Sequence, residues 1–167
     1  ELLQRYWDPE TGAFQDRRDG AFCRVLTPAI FWPMAANMAT AEQARQIVAH
    51  LTNPEELGGA CPCPTVSRND PAFTPDGTYW RGAVWVPLAY VASVALRNYD
   101  CDDEARRLTE KLLNHMVNTW RGYTPHSIWE CYKPDRPEPA LNSKGRICRA
   151  DFCGWSALGP ISMLIEN

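Results

Sequence analysis

Tyr79-Trp80-Arg81-Gly82-Ala83-Val84-Trp85-Val86-Pro87-Leu88-Ala89-Tyr90-Val91-Ala92-Ser93-Val94-Ala95-Leu96-Arg97-Asn98-Tyr99 is the stretch on which the fold turns. From Arg81 to Tyr99 it reads as a helix with apolar residues on all faces, so no side of it is built for water. The next segment has the opposite character. Asp102 or Asp103 is its expected N-cap, and Ala105, Leu108, Leu112, Leu113, Met116, Val117 and Trp120 form one apolar stripe at helical spacing. Arg106, Arg107, Glu110 and Lys111 take the wet side. An all-apolar helix followed by an amphipathic one reads as an inner helix followed by an outer one.

The same alternation comes earlier in the chain. Pro28 to Met38 reads as an inner helix with Pro28 in its first turn. Thr40 then caps an outer helix whose Ala41, Ala44, Ile47, Val48 and Leu51 face inward, while Glu42, Gln43, Arg45 and Gln46 face water. Gly154 to Ile165 begins a third inner helix. The expected fold class is all-α, a double-layered helical toroid of alternating inner and outer helices with long connecting loops. No repeat at the residue level is evident, which weighs against a TPR-like solenoid.

The connections carry their own signals. Asn53 to Thr78 is a long loop stiffened by Pro62, Pro64, Pro71 and Pro75, and loops of this length inside a domain are usually functional or disordered. Lys133 to Arg149 is long and polar, and reads either as a lid or as surface decoration. Tyr6 to Asp19 contains Asp-Pro and Thr-Gly turn pairs, and suits a short hairpin with Phe14 pointing inward. Its Asp8, Glu10, Asp16 and Asp19 match no calcium-loop spacing and read as solvated turn carboxylates.

Composition removes several classes. With 167 residues, 45% of them hydrophobic, the chain is large enough for one domain with a real core. A net charge of -3 without a basic run argues against nucleic acid as a partner. The most apolar stretch, Val84 to Leu96, is shorter than a membrane span and contains Pro87, so no membrane partner is expected. Seven cysteines in apolar surroundings suit reduced, buried thiols and a cytoplasmic location. Cys61 and Cys63 stand one residue apart, where zinc sites usually space paired cysteines by two, and no metal is expected. His50, His115 and His126 form neither a metal nor a triad pattern, and no phosphate loop or nucleophile elbow is present. Residue 1 is Glu and the last apolar helix runs to the end, so both ends read as cut.

Chemistry gathers in three aromatic motifs. Tyr79, Trp80 and Trp85 surround an Arg81-Gly82 pair; flat aromatic faces suit sugar rings, and a guanidinium supplies donors to hydroxyls. Ser127-Ile128-Trp129-Glu130-Cys131-Tyr132 places a carboxylate between aromatics, and Phe152-Cys153-Gly154-Trp155-Ser156 opens the third inner helix. Glycoside hydrolysis needs two carboxyl groups flanking the scissile bond, one to protonate the departing oxygen and one to activate water or attack carbon. Glu130 is the candidate for one of them.

In order and rough spacing these motifs, with Glu130-Cys131-Tyr132-Lys133-Pro134 and the upstream Pro64 to Phe73 stretch, resemble glycoside hydrolase family 63, especially its mannosylglycerate hydrolase-like branch. The resemblance covers about Tyr6 to Glu166. It implies an (α/α)6 toroid of twelve helices, of which residues 1–167 would be a C-terminal portion of roughly half, completed by the remainder of the same catalytic domain. It implies an inverting α-glycosidase acting on small α-glucosides or α-mannosides without a cofactor or catalytic metal. It carries the general-base role onto Glu130, and the substrate-binding residues expected with it are Tyr79, Trp80, Arg81, Trp85, Trp129, Tyr132 and Trp155, the last three around the base. It places the general acid upstream of residue 1; Asp70 and Asp76 are the substitutes available within the chain. Trehalases and glycogen-debranching enzymes share the architecture and remain alternatives, as does a helical sugar-binding or scaffold domain without catalysis.

Overall fold

The computed structural model describes residues 3–149, 151 and 153–166. Two short antiparallel hairpins open it: β1 (Trp7–Asp8) pairs with β2 (Ala13–Phe14), and β3 (Arg17–Arg18) with β4 (Ala21–Phe22). Five helices follow: α1 (Trp32–Ala35), α2 (Ala41–Thr52), α3 (Val86–Arg97), α4 (Asp102–Gly122) and α5 (Gly154–Glu166). The fold is therefore helical with a few short strands rather than purely α.

Phe14 turns inward and meets Trp7 edge-on at 5.0 Å. Asp8 departs from the solvated carboxylate expected of it. It is 1% exposed, accepts the Glu10 N–H and is gripped by Arg24 Nε at 2.9 Å. Burial opposes its charge, but the Glu10 amide and the Arg24 guanidinium outweigh burial and hold the carboxyl below its ordinary pKa.

The helices form for the reasons their sequences suggest, with corrected ends. The inner segment expected over Pro28–Met38 is a 3-10 turn, Pro28–Phe31, running into α1, which stops at Ala35. Asn37 takes φ +55°, and the Met38 and Asn37 amides return to Pro33 O and Met34 O, a left-handed cap that closes the helix early. Thr40 caps α2 through a capping box with Gln43, which draws Gln43 out of water to 6% exposure, while Ala41 of the expected apolar stripe is exposed. The N-cap of α4 is Cys101, without a side-chain cap bond; Asp102, Asp103 and Glu104 lie in its first turn, where the helix dipole favours anions.

α3 is the centre of the molecule. None of its residues is exposed, and it packs against α1, α4 and α5. Ala89, Ala92, Ala95 and Leu96 are fully buried there. α4 buries Ala105, Leu108, Leu112 and Met116 and wets its opposite side, as an outer helix should. Val117 and Trp120, expected on its buried stripe, are 43% and 48% exposed, and with Ile128 and Pro160 they border an apolar cleft. α5 shows a similar open side, with Leu158, Ile161, Leu164 and Ile165 all exposed. No helix among the described residues is long and apolar enough to cross a membrane.

α3 begins at Val86, five residues later than the all-apolar stretch suggests. Tyr79 at φ +51° and Gly82 at φ +124° break the helical path. A Cβ at Gly82 would lie 2.8 Å from Thr74 O and 2.9 Å from the Phe73 ring, so only glycine fits. The freed segment serves as a strand instead. Val84 pairs with Pro64 on one side and Tyr132 on the other, Tyr132 with Pro139, and Leu141 with Ile147. A ladder of single bridges thus fastens the connection between α2 and α3 to the connection between α4 and α5.

Candidate active site

That ladder brings the aromatic motifs together. Val84 and Tyr132 exchange both amide hydrogen bonds, at 2.8 and 3.0 Å, which sets Tyr79–Trp85 beside Glu130. The first turn of α5 completes the contact: Ser156 Oγ donates to the Glu130 carbonyl at 3.0 Å, and the Cys153 amide to Ile128 O at 3.1 Å. Three segments therefore meet at one half-buried residue, Glu130, with Tyr79 at its carboxylate and Ser156 at its main-chain carbonyl. Phe152 of the third motif lies outside the described residues.

Glu130 holds two donors. The Tyr79 hydroxyl donates to Oε1 at 3.1 Å, and the Arg149 amide makes a long contact of 3.5 Å to Oε2. Burial and the bond to Glu130 push the Tyr79 hydroxyl above its ordinary pKa, so it keeps the proton it donates.

The aromatics divide into an open set and a buried one. Trp80, 58% exposed, lies flat on Trp85 with ring centroids 4.5 Å apart and planes 2° from parallel. Trp85 is buried beneath it, and Trp155, half-exposed, stands 6.3 Å from Trp85. An indole face backed by a second indole and open above is a stacking platform for an apolar ring face. Trp129 and Tyr132 do not join it. They are 2% and 1% exposed and form packing beneath Glu130, where the Tyr132 hydroxyl accepts the Trp129 amide at 3.1 Å. The substrate-binding role expected of them does not fit this burial, because the Val84–Tyr132 pairing turns them into the core. Arg81 is exposed, and its Nε donates to Ala72 O at 2.9 Å, which anchors the preceding loop. His126 bonds the Trp120 carbonyl on the exposed side of α4.

Both substitute acids are engaged elsewhere. Asp70 accepts the Ala72 amide at 2.7 Å and shapes its own turn. Asp76 meets Lys133 Nζ at 3.0 Å and Arg136 Nη2 at 2.9 Å, and these cations, Lys133 foremost, lower its pKa. A carboxyl held ionised by two cations is a poor proton donor. The polar 133–149 loop is thus tied down at its start, where Lys133 also pairs with Glu138 at 2.7 Å.

Sequence reasoning missed Arg68. Its guanidinium donates to Cys61 O at 3.0 Å, Pro134 O at 3.2 Å and Glu56 O at 3.2 Å, bonds Gly58 O, and pairs with Asp135 at 3.0 Å. The signal was present: Arg68 is the sole basic residue between Asn53 and Trp80. Cys61 and Cys63 are fully buried at this seam, where burial pushes both thiols up, Cys63 to about 12. Among the described residues no group of His, Cys, Asp or Glu is arranged to hold a metal ion.

The sequence profile of the mannosylglycerate hydrolase MGH1-like glycoside hydrolase domain matches residues 1–156. A mannosylglycerate hydrolase of Rubrobacter radiotolerans is 31% identical over 67% of this chain and 26% of its own length. A probable trehalase of Eremothecium gossypii is 30% identical over 95% of this chain and 22% of its own. The crystal structure of the GH63 mannosylglycerate hydrolase of Thermus thermophilus superposes on 99% of this chain and 36% of its own, with a TM-score of 0.75 at 24% identity, a likeness of fold. The chain thus spans between about a fifth and two fifths of these relatives. With its motifs gathered around Glu130 and its sequence matched almost throughout, the chain belongs to the mannosylglycerate hydrolase MGH1-like glycoside hydrolase family.

Proposed function

We propose that these residues carry the base side of the active site of an inverting α-glycosidase that acts on small α-glucosides or α-mannosides, glycosylglycerates among them. Glu130 takes a proton from the water that attacks the anomeric carbon, and Trp80, stacked on Trp85, receives the sugar. The observation that carries this reading is the half-buried Glu130 carboxylate, bonded by Tyr79, whose ring stands against the open Trp80 and its stacking partner Trp85. This reading takes the general acid from polypeptide outside residues 1–167, and the engagement of Asp70 and Asp76 elsewhere supports it. That polypeptide completes an (α/α)6 ring of which α1 to α5 are an arc, consistent with the open sides of α4 and α5. The 167 residues alone are then without efficient hydrolysis.

A trehalase-type glucosidase is the second reading, favoured by the probable trehalase that matches 95% of the chain. Five of the seven thiols are buried, while Cys23 is exposed and Cys101 half-buried; the unpaired thiols and the cytosolic neutral trehalase of Kluyveromyces lactis among its relatives fit a cytoplasmic location. The test is Glu130→Gln in the complete natural protein, assayed on mannosylglycerate and trehalose. Hydrolysis should fall by about 10²–10⁴-fold while sugar binding persists. Activity that survives the change refutes the base assignment. Binding without hydrolysis in the unaltered protein would instead favour a sugar-binding domain.

A further inference from the structure

Tyr79 is held more firmly than a sugar wall requires. Its amide donates to Leu141 O at 2.8 Å, and its carbonyl accepts the Trp85 indole N–H at 3.4 Å. Its ring stands 78° from Trp80 and 80° from Trp85, across the edge of their stack. The face a sugar would use on Trp80 is therefore not continued by Tyr79. Its backbone sits at φ +51°, a region that a bulky side chain occupies only when its surroundings impose it. Everything that fixes the residue aims one atom, the hydroxyl, at Glu130 Oε1, 3.1 Å away.

We propose that Tyr79 is a positioning residue for the base: its hydroxyl pins Glu130 Oε1 and leaves Oε2 as the oxygen that takes the proton of the attacking water. This rests on the reading of Glu130 as the base. A carboxylate that rotates freely about its terminal torsion spreads its lone pairs over many directions. A donor held on Oε1 restricts the carboxylate plane, and a near-attack geometry for the water follows from that plane. The Arg149 amide, at 3.5 Å, is too distant to hold Oε2 against a water. In the step itself the water oxygen bonds the anomeric carbon and its proton goes to Oε2. The glycosidic oxygen leaves with a proton from the carboxylic acid on the opposite side.

The experiment is Tyr79→Phe in the complete natural protein, with the glycoside whose cleavage Glu130→Gln abolishes. Phe keeps the ring against the edge of the indole stack and removes the hydroxyl alone. Positioning predicts a fall in kcat of about tenfold or more, as expected for losing a hydrogen bond to a charged group, with KM within about twofold. A wall role predicts the reverse, a raised KM at unchanged kcat, and would overturn the proposal. A second measurement guards against misfolding: in the Glu130→Gln background, adding Tyr79→Phe should change neither residual turnover nor sugar affinity, because the hydroxyl then has no carboxylate to aim. A further loss in that background also overturns it. If Glu130→Gln itself retains activity, the base reading falls, and that outcome is distinct from normal kcat in Tyr79→Phe beside an inactive Glu130→Gln.

Discussion

Replacing Arg68 by alanine should unfasten the two connections that carry the site. The side chain is 10% exposed, and it joins the 56–61 turn to Pro134 and Asp135, four and five residues beyond Glu130. Alanine removes donors from four carbonyls, each hydrogen bond worth about 1 kcal/mol net. It also removes an ion pair to a half-exposed Asp135, worth about 0.2–1 kcal/mol. Water entering the vacated space recovers part of this, so we expect a loss of about 3–5 kcal/mol, a large share of a typical domain's stability. Arg68→Lys keeps the charge but not the planar fork, and should recover less than half of the loss. Gly59 fits beneath the guanidinium, since a Cβ there would lie 2.8 Å from Arg68 Cζ. Gly59→Ala should therefore weaken the same seam by pushing the fork away. The assay is the urea midpoint of each variant, read by tryptophan fluorescence, with the denaturant slope checked for constancy. A loss below about 1 kcal/mol for Arg68→Ala, or full recovery by lysine, would refute the view that this guanidinium ties the loops together.

Two further outcomes follow from the same geometry. Trp80→Ala should cost only about 1 kcal/mol of stability, because the ring is largely in water, yet weaken sugar binding roughly tenfold; equal binding by the variant in calorimetric titration would remove Trp80 from the wall. Asp8 has a lowered pKa in the folded protein, so its contribution is complete above the ordinary carboxylate value near 4 and is lost as pH falls through the lower folded value. Asp8→Asn should flatten the decline of unfolding free energy in that acid range, and an unchanged acid slope would show that Arg24 does not sustain the charge.

Much of the helical scaffold was legible locally. The Thr40–Gln43 capping box needs only residues three apart, and the all-apolar character of Val86–Arg97 is visible in any window that spans it. The early end of α1 was also signalled by Asn37, a residue that tolerates the left-handed cap. The start of α3 was not. Apolar periodicity runs unbroken through Ala83 to Trp85, and a strand pairing with Tyr132, nearly fifty residues away, overrides it. Trp129 and Tyr132 were placed in the pocket for a related reason: aromatic composition marks a site, whereas the register of a pairing decides which side of the segment faces it.

By itself the sequence determined the helical character of the scaffold, the family, and the carboxylate among the motifs. Those depend on side-chain periodicity and on residue types within short spans. Tertiary structure alone decided which aromatics stay open, that Asp76 answers to Lys133 and Arg136, that Arg68 clasps two loops, and that Tyr79 reaches Glu130. Each of those is a contact between segments about ten to seventy residues apart, where direction and distance follow from packing the helices and pairing the loops, and no local pattern encodes them.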